Sequence, residues 1–313
     1  MIQSEGTLLS RPYGDIIIEV QHESARALHW PRMRYGANTL IWADSFGPAQ
    51  FSILPRVKSA GLDGVEIPIF HPAGVQSAEI RRELERVGLA CTACTVMPPG
   101  LSLADPDSQV RAQARTHVCD CIHAAAEASV SLLAGPIYTP VSYFTGRRRS
   151  ADEWQRTIES WRELAPLVEA AGIQIAIEPL NRFETYFLNT VDDAAALCDA
   201  IDSPHIGILI DTFHANIEEK SIGAALRRAG RHLKHLHTCE NDRGTPGTGN
   251  VNWPEFFAAV RDLGYDGWLT IESFGFSLGE IAAAASIWRD LAPTPESIAF
   301  EGVQFLRANT RPA

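Results

Sequence analysis

The chain has 313 residues, a formal net charge of −11 and 45% hydrophobic residues, values ordinary for a globular protein with a sizeable core. The acidic balance argues against nucleic acid as a partner, because proteins that bind a polyanion present a basic surface. The sequence contains no apolar run near the ~20 residues of a membrane span, so it predicts no membrane-spanning segment.

The first 32 residues match neither a signal peptide nor a helix, and they are treated as an N-terminal extension without an assigned role. From Met33 onward, short apolar runs alternate with longer amphipathic stretches, which is the pattern of βα units around a parallel sheet. Eight strands are predicted, at residues 34–42, 64–70, 89–96, 131–137, 173–178, 206–211, 232–238 and 267–272. Residues 33–313 are therefore predicted to form one α/β domain, a single (β/α)8 TIM barrel with a C-terminal helical extension.

Glycine directly follows several predicted helices, where a left-handed residue commonly ends a helix. These glycines are Gly61, Gly88, Gly172 and Gly264. The repeated junction favours a closed barrel over a doubly wound sheet, and no glycine-rich phosphate motif follows the first strand. Ser150 is a candidate N-cap for a helix that continues to about Ala170. Residues 288–305 predict the last barrel helix followed by a C-terminal helix.

The six cysteines are sparse and lack the spacing of a secreted disulfide scaffold, which favours free thiols in a reducing compartment such as the cytoplasm. Cys91 and Cys94 form a CxxC pair within a predicted strand, whereas redox pairs occupy helix N-termini. Both are therefore predicted to be buried core thiols. Residues 147–149 are three consecutive arginines that predict a solvated loop, with a phosphate contact as the alternative.

Four consecutive predicted strands, the fifth to the eighth, each end in a residue that can bind a metal. These residues are Glu178, Asp211, His237 and Glu272, at intervals of 33, 26 and 35 residues that approach one βα repeat of roughly 30. Because all strands of a barrel end at one rim, the four side chains are predicted to converge. Buried carboxylates are costly without a cation, although each alone could instead cap a helix or pair with an arginine. Three oxygen donors and one imidazole suit Mn²⁺, Mg²⁺ or Co²⁺.

Longer motifs around these residues resemble the D-tagatose/D-allulose 3-epimerase family of the xylose-isomerase-like sugar isomerases and epimerases. They are IEPLNRFE at 177–184, DTFHANIEE at 211–219, GTGNVNW at 247–253 and IESF at 271–274, and the likeness covers roughly residues 33–310. The resemblance implies one divalent ion, usually Mn²⁺ or Co²⁺, on the four ligands, and a homodimer or homotetramer. It also implies that Glu184, His214 and Arg243 hold the carbonyl end of a ketose, with Trp42 and Phe274 as an apolar wall.

The reaction that this resemblance implies is epimerisation of a free ketose at C3, which removes the proton beside the C2 carbonyl and returns it to the opposite face. The ion is expected to act as a Lewis acid that stabilises a cis-enediolate, with Glu178 and Glu272 as the two bases. The nearest alternatives are an aldose–ketose isomerase such as hydroxypyruvate isomerase, or an inosose dehydratase, on the same scaffold. More distant alternatives are a nuclease of the endonuclease IV type, which would need several zinc ions and a basic groove, and a non-catalytic sugar-binding barrel.

Overall fold

The structure, a computed structural model, describes residues 32–275 and 279–310. The predicted N-terminal extension, residues 1–32, lies outside the described residues except for Arg32. The described residues all belong to one unit of the chain, Trp30–Arg311. Among the helices that they form, none combines the length and the apolar character needed to cross a membrane.

Eight parallel strands close into a barrel, in which each strand pairs with its neighbours in chain order and the first also pairs with the last. Their bounds are β1 Arg34–Asn38, β2 Gly64–Pro68, β3 Ala90–Cys94, β4 Leu132–Gly135, β5 Gln174–Ile177, β6 Ile206–Asp211, β7 Leu233–His237 and β8 Trp268–Ile271. Each observed strand lies within the range predicted for it. The predicted (β/α)8 barrel is therefore confirmed.

Helices follow every strand and surround the barrel. The α-helices are α1 Leu54–Ser59, α2 Ser77–Val87, α3 Ser108–Glu127, α4 Ala151–Ala171, α5 Val191–Ile201, α6 Thr212–Glu218, α7 Ile222–Ala229, α8 Trp253–Asp262, α9 Glu280–Ala284 and α10 Pro295–Asn309. Short 3-10 helices occupy Thr39–Ile41, Pro48–Ile53, Pro72–Gly74 and Gly230–His232.

The C-terminal segment differs from its prediction over residues 288–305. Helix α9 ends before this segment, and α10 begins only at Pro295. Proline has no N–H to donate, so it suits the first turn of a helix and would interrupt a helix that ran through it. The Thr294 side chain caps α10 by accepting the Ser297 N–H. Helix α10 then packs against β8 as the last helix around the barrel.

The local signals at helix ends are confirmed. The backbone φ angle is positive, between +63° and +93°, at the four junction glycines Gly61, Gly88, Gly172 and Gly264. Ser150 caps α4 by accepting the Glu153 N–H, while the Glu153 carboxylate accepts the Ser150 N–H. All six cysteines are free, and Cys91 and Cys94 are buried, as predicted for core thiols. Burial raises the pKa of both thiols, which makes them poor nucleophiles.

The pairing between β6 and β7 places two predicted ligands opposite each other. A register irregularity just before Leu209 lets the last residues of the two strands pair, Asp211 with His237. His237 on β7 pairs with Thr270 on β8, and Thr270 lies two residues before Glu272. Because side chains two residues apart on a strand share a face, Glu272 continues along the face that carries Thr270.

The apolar core has two parts. The larger part lies between the strands and the helices. A separate small cluster consists of Leu132, Ala134, Ala176 and Leu209. Ala176 and Leu209 precede Glu178 and Asp211 by two residues, so the alternation of side chains places them on the same, inward face of the barrel. Small and branched apolar groups therefore fill the barrel beneath these two carboxylates.

Candidate active site

The four predicted ligands meet at the C-terminal rim of the barrel. Glu178 follows β5, Asp211 ends β6, His237 ends β7 and Glu272 follows β8, and all four are buried. One donor atom of each lies within 4.8 Å of the donor atoms of the other three. The strands thus bring three carboxylates and one imidazole to a space of the size that one divalent ion requires.

The orientation of His237 indicates which of its nitrogens faces this space. Its Nε2 lies 2.7 Å from Oε1 of Glu66, a residue of β2. Its Nδ1 lies 3.2 Å from Glu272 Oε1, yet this buried nitrogen makes no hydrogen bond. A buried nitrogen without a hydrogen-bond partner among carboxylates fits a metal ligand, which binds through its lone pair. The donor set and this nitrogen together fit a divalent cation.

The carboxylates of the cluster differ in acidity. Burial, reinforced by repulsion from Glu272, raises the pKa of Glu178 well above its usual range. Burial also raises the pKa of Asp211 to about 6, although Arg243 opposes the rise. Burial alone would raise the pKa of Glu272, but attraction to His237 and Arg243 outweighs it and lowers that pKa to about 2. Crowding of buried negative charge is the property expected of a cation site.

Arg243 reaches the ligands from the loop after β7. Its Nη1 donates to Asp211 Oδ2 at 2.7 Å and to Glu272 Oε2 at 2.6 Å. The guanidinium also lies 4.0 Å from the centre of the Phe213 ring and 5.1 Å from that of Phe274. Asp211 additionally caps α6 by accepting the Phe213 N–H. Capping and arginine pairing, the alternatives to metal binding, thus occur in the same carboxylates that form the cluster.

Asn181, His214 and Glu184 form a second polar group beside the ligands. The Asn181 backbone N–H donates to His214 Nδ1 at 3.1 Å, and the Asn181 amide donates to Glu184 Oε1 at 2.8 Å. Burial and the neighbouring Arg243 lower the pKa of His214, so the ring is neutral. The Nε2 atom of His214 lies 3.6 Å from Glu178 Oε1 and 3.2 Å from Arg243 Nη2, which can only donate. His214 therefore lies between Glu178 and Arg243 and contacts both the candidate ligands and the second polar group.

A cavity of about 430 Å³ contains this site, a volume within the range of small-molecule sites. Its polar lining includes the following residues: His71, Thr95, Glu178, Glu184, His214, His237, Arg243 and Glu272. Phe274 and other apolar side chains such as Leu40 and Ile281 form the rest of the wall. Four of the five predicted substrate contacts therefore line one cavity: Glu184, His214, Arg243 and Phe274.

Trp42 is the predicted contact that the structure does not bring to this cavity. It lines a neighbouring groove, and its ring packs 6.3 Å from that of Phe300. The reason is the 3-10 helix Thr39–Ile41 after β1, which directs Leu40 rather than Trp42 into the cavity. The predicted role of Trp42 in the apolar wall of the sugar pocket therefore stays a prediction.

Sequence reasoning missed Glu66 and His235. Glu66 is fully buried within β2, and its carboxylate oxygens lie 2.7 Å from His235 Nε2 and 2.7 Å from His237 Nε2. Although burial raises the pKa of Glu66, attraction to the two histidines outweighs it and lowers that pKa below its usual range. Two signals were available: a carboxylate inside an apolar run, and a histidine two residues before a predicted ligand on the same strand.

The arginines at 147–149 lie in a loop, as predicted, in which Arg147 and Arg148 are exposed and Arg149 is half-buried. Arg147 pairs with Glu153 at 2.7 Å and is half exposed. Arg149 pairs with Asp193 at 2.9 Å and donates to the Phe187 carbonyl at 2.7 Å. Neither side chain lines the cavity. The two arginines therefore join the loop to α4 and α5, and no described contact supports the phosphate alternative.

Comparisons with known proteins agree with this geometry. The model of the family described as xylose isomerase-like TIM barrel matches residues 54–309. A probable ketose 3-epimerase from Synechocystis sp. is 36% identical over 277 residues, which cover 88% of this chain and 96% of that protein. A D-psicose 3-epimerase from Ruminiclostridium cellulolyticum is 32% identical, over 83% of this chain and 90% of that protein.

Solved structures give the same result. A D-allulose 3-epimerase from Methylomonas sp., solved in complex with D-allulose, superimposes with a TM-score of 0.84. The superposition covers 90% of this chain and 100% of that chain, at 26% sequence identity. The similarity therefore extends over the whole barrel and includes all four strands that carry the ligands.

Proposed function

We propose that this chain, which belongs to the xylose isomerase-like TIM barrel family and to the ketose 3-epimerases within it, is a metal-dependent enzyme that epimerises free ketoses at C3. The observation that carries the proposal is the convergence of Glu178, Asp211, His237 and Glu272, with the unpaired His237 Nδ1 among the carboxylates. The comparisons support the reaction class, because the relatives at 36% and 32% identity bear the names of 3-epimerases.

The four ligands would hold one ion, with His237 binding through Nδ1. Three oxygen donors and one imidazole favour a hard to borderline ion, and the proposed ion is Mn²⁺, with Co²⁺ and Mg²⁺ as alternatives. When bound, the ion supplies Lewis-acid polarisation of the substrate carbonyl, which makes the neighbouring proton easier to remove.

Two glutamates are available to move the C3 proton. Glu178 and Glu272 are carried by β5 and β8, the outer two of the four consecutive strands, and both line the cavity. One takes the proton from C3, and the other returns a proton to the opposite face of the resulting cis-enediolate. The configuration of the substrate determines which glutamate acts first. Glu184, His214 and Arg243 supply a carboxylate, an imidazole and a guanidinium to hold the carbonyl and hydroxyl oxygens.

A panel of free ketoses with Mn²⁺ tests the reaction. D-tagatose, D-allulose and L-ribulose are incubated with the protein before chelation, after chelation and after Mn²⁺ is restored, and the products are separated by chromatography. The expected product is the C3-epimeric ketose, with turnover lost on chelation and regained with Mn²⁺. An aldose product would identify an aldose–ketose isomerase instead, and the same panel of phosphorylated ketoses shows which form is preferred.

Variants of the two glutamates test the proton transfer. Glu178→Gln and Glu272→Gln are each expected to lower turnover at least ~100-fold, because each removes one general base. Glu219→Gln is the matched control: its carboxylate accepts the Val191 N–H and does not line the cavity. In D₂O, the wild type is expected to incorporate deuterium at C3. Full turnover in both variants, with metal bound, would contradict this mechanism.

A homodimer or homotetramer and a cytoplasmic location complete the proposal. The location is supported by the chemistry of the thiols, since all six cysteines are free. Light scattering of the purified protein tests the assembly, and a particle of 34.3 kDa, the mass of one chain, would contradict it.

A further inference from the structure

We propose that Glu66 is a positioning residue of the metal site: it holds the His237 ring so that Nδ1 faces the ligand carboxylates. This inference rests on the proposed metal site and adds a residue to it. Glu66 touches no part of the substrate cavity, and it acts only through the histidine. Its carboxylate belongs to β2, on a different part of the barrel from the strands that carry the four ligands.

The Glu66 carboxylate accepts four donors, two at each oxygen. Oε1 lies 3.0 Å from Asn38 Nδ2 and 2.7 Å from His237 Nε2. Oε2 lies 3.0 Å from Thr92 Oγ1 and 2.7 Å from His235 Nε2. A carboxylate offers about four lone-pair sites, so every site is in use. The carboxylate therefore has one orientation, and that orientation is transmitted to His237.

Strand pairing explains how three of these polar residues meet. Asn38 on β1 pairs with Glu66 on β2, and Glu66 pairs with Thr92 on β3. The three residues therefore form one row across adjacent strands, and their side chains share a face. Asn38 also accepts the Leu40 N–H through its Oδ1, so its amide is held from both sides. The row is held without the histidines, because Glu66 also accepts hydrogen bonds from Asn38 and Thr92.

The hydrogen bond decides the tautomer of His237. To bind a cation, His237 must be a neutral imidazole with one N–H and one lone pair, so a proton on Nε2, donated to Glu66, leaves the lone pair on Nδ1. Nδ1 is the nitrogen that lies among the carboxylates. A partner on the second nitrogen of a metal-binding histidine fixes the ring and makes the first nitrogen a better donor. Without Glu66, the ring would lose both its orientation and its preferred tautomer.

A second cation site at Glu66, His235 and His237 is the competing interpretation, since donor atoms of the three also lie within 4.8 Å of one another. The hydrogen bonds argue against it. Both contacts between imidazole nitrogen and carboxylate measure 2.7 Å, the length of a charge-assisted hydrogen bond, and Asn38 and Thr92 occupy the remaining lone pairs. The stoichiometry of metal binding separates the two interpretations.

Metal affinity rather than turnover is the decisive measurement. Mn²⁺ binding to the full chain is measured by calorimetry, and Co²⁺ binding by visible absorption, for the wild type, Glu66→Gln and Glu240→Gln. Glu240 is the matched control: it is fully buried and accepts the Trp253 Nε1–H and the Gly247 N–H, but it is not a ligand. Glu66→Gln is expected to weaken Mn²⁺ binding about 10–100-fold and to alter the Co²⁺ spectrum, whereas Glu240→Gln leaves both unchanged.

The outcomes are distinct. Equal affinity in the wild type and Glu66→Gln would overturn the inference while leaving the proposed function intact. Two ions per wild-type chain, with one lost in Glu66→Gln, would overturn it in favour of a second site. No Mn²⁺ binding by the wild type would overturn the proposed metal site itself. If Glu66→Gln does not fold, Thr92→Val decides: it removes one donor to Glu66 and is expected to weaken binding about threefold, and unchanged affinity would refute the inference.

Discussion

Replacing Glu178 with glutamine is expected to stabilise the metal-free protein and to remove much of the stabilisation that metal supplies. Burial and repulsion from Glu272 raise the pKa of Glu178 from the usual 4.5, so the folded protein retains a proton that the unfolded chain releases. Because the folded state retains this proton, the free energy of unfolding falls as pH rises above 4.5, until the pH passes the pKa of Glu178 in the folded protein. Glutamine has no proton to release, so the free energy of unfolding of the variant does not fall in this way.

The magnitude follows from proton linkage. One retained proton changes the free energy of unfolding by at most about 1.4 kcal/mol per pH unit. For a domain of this size, 1 kcal/mol corresponds to roughly 2 °C in Tm. The Tm of metal-free Glu178→Gln should therefore rise relative to that of the wild type by up to roughly 3 °C per pH unit above 4.5. A hundredfold excess of metal over Kd adds about 2.7 kcal/mol to the wild type.

Thermal unfolding followed by circular dichroism between pH 5 and 7.5 is the assay, in chelator and then in excess Mn²⁺. The expected result is an inverted order: the variant is more stable without metal, and the wild type is more stable with it. The reasoning would be refuted if Glu178→Gln were less stable than the wild type in chelator at pH 7. It would also be refuted if Mn²⁺ raised the Tm of the variant as much as it raises that of the wild type. The Glu219→Gln control should follow the wild type in both series.

Three further changes test other parts of the structure. Gly135→Ala should lower stability by at least ~2 kcal/mol in urea unfolding, because the added Cβ would lie 2.0 Å from the Thr95 carbonyl oxygen at a φ of +132°. Glu153→Gln should lower the free energy of unfolding by about 1 kcal/mol at pH 7, since the Arg147 pair and the helix cap hold the Glu153 pKa near 2 against burial. This contribution is present above pH ~4.5 and is lost as pH falls toward 2. Urea unfolding at pH 3 should therefore show a smaller difference between the variant and the wild type. Arg243→Lys should raise KM for the ketose about tenfold, because lysine lacks the planar fork, and an unchanged KM would contradict a substrate-holding role.

The barrel and the convergence of its four candidate ligands were predictable, because each depends on a short-range pattern. An apolar run of strand length, repeated at the spacing of a βα unit, gives eight strands with a common rim. The position of Glu178 or Asp211 at the end of such a run then determines its height in the barrel. His214 and Glu184 were reached by a different route, since only their family motifs distinguished them from other polar loop residues.

What could not be predicted depends on contacts across the barrel or on single turns of backbone. Glu66 lies 169 residues from His235 and 171 from His237, and no local pattern relates residues so far apart. Trp42 lies beside the cavity, in a neighbouring groove, because the direction of its side chain depends on one 3-10 turn after β1. The helix predicted from Trp288 does not form, whereas the C-terminal helix predicted after the prolines is α10.

The row of Asn38, Glu66 and Thr92 limits how this barrel can be divided. Strands β5 to β8 carry all four ligands, so a half-barrel made of them would contain every donor atom. It would nevertheless lack the opposite strands, whose carboxylate accepts the His237 N–H. Transplanting the ligands into another scaffold, or seeking their origin in a duplicated half, must therefore account for β1 to β3 as well.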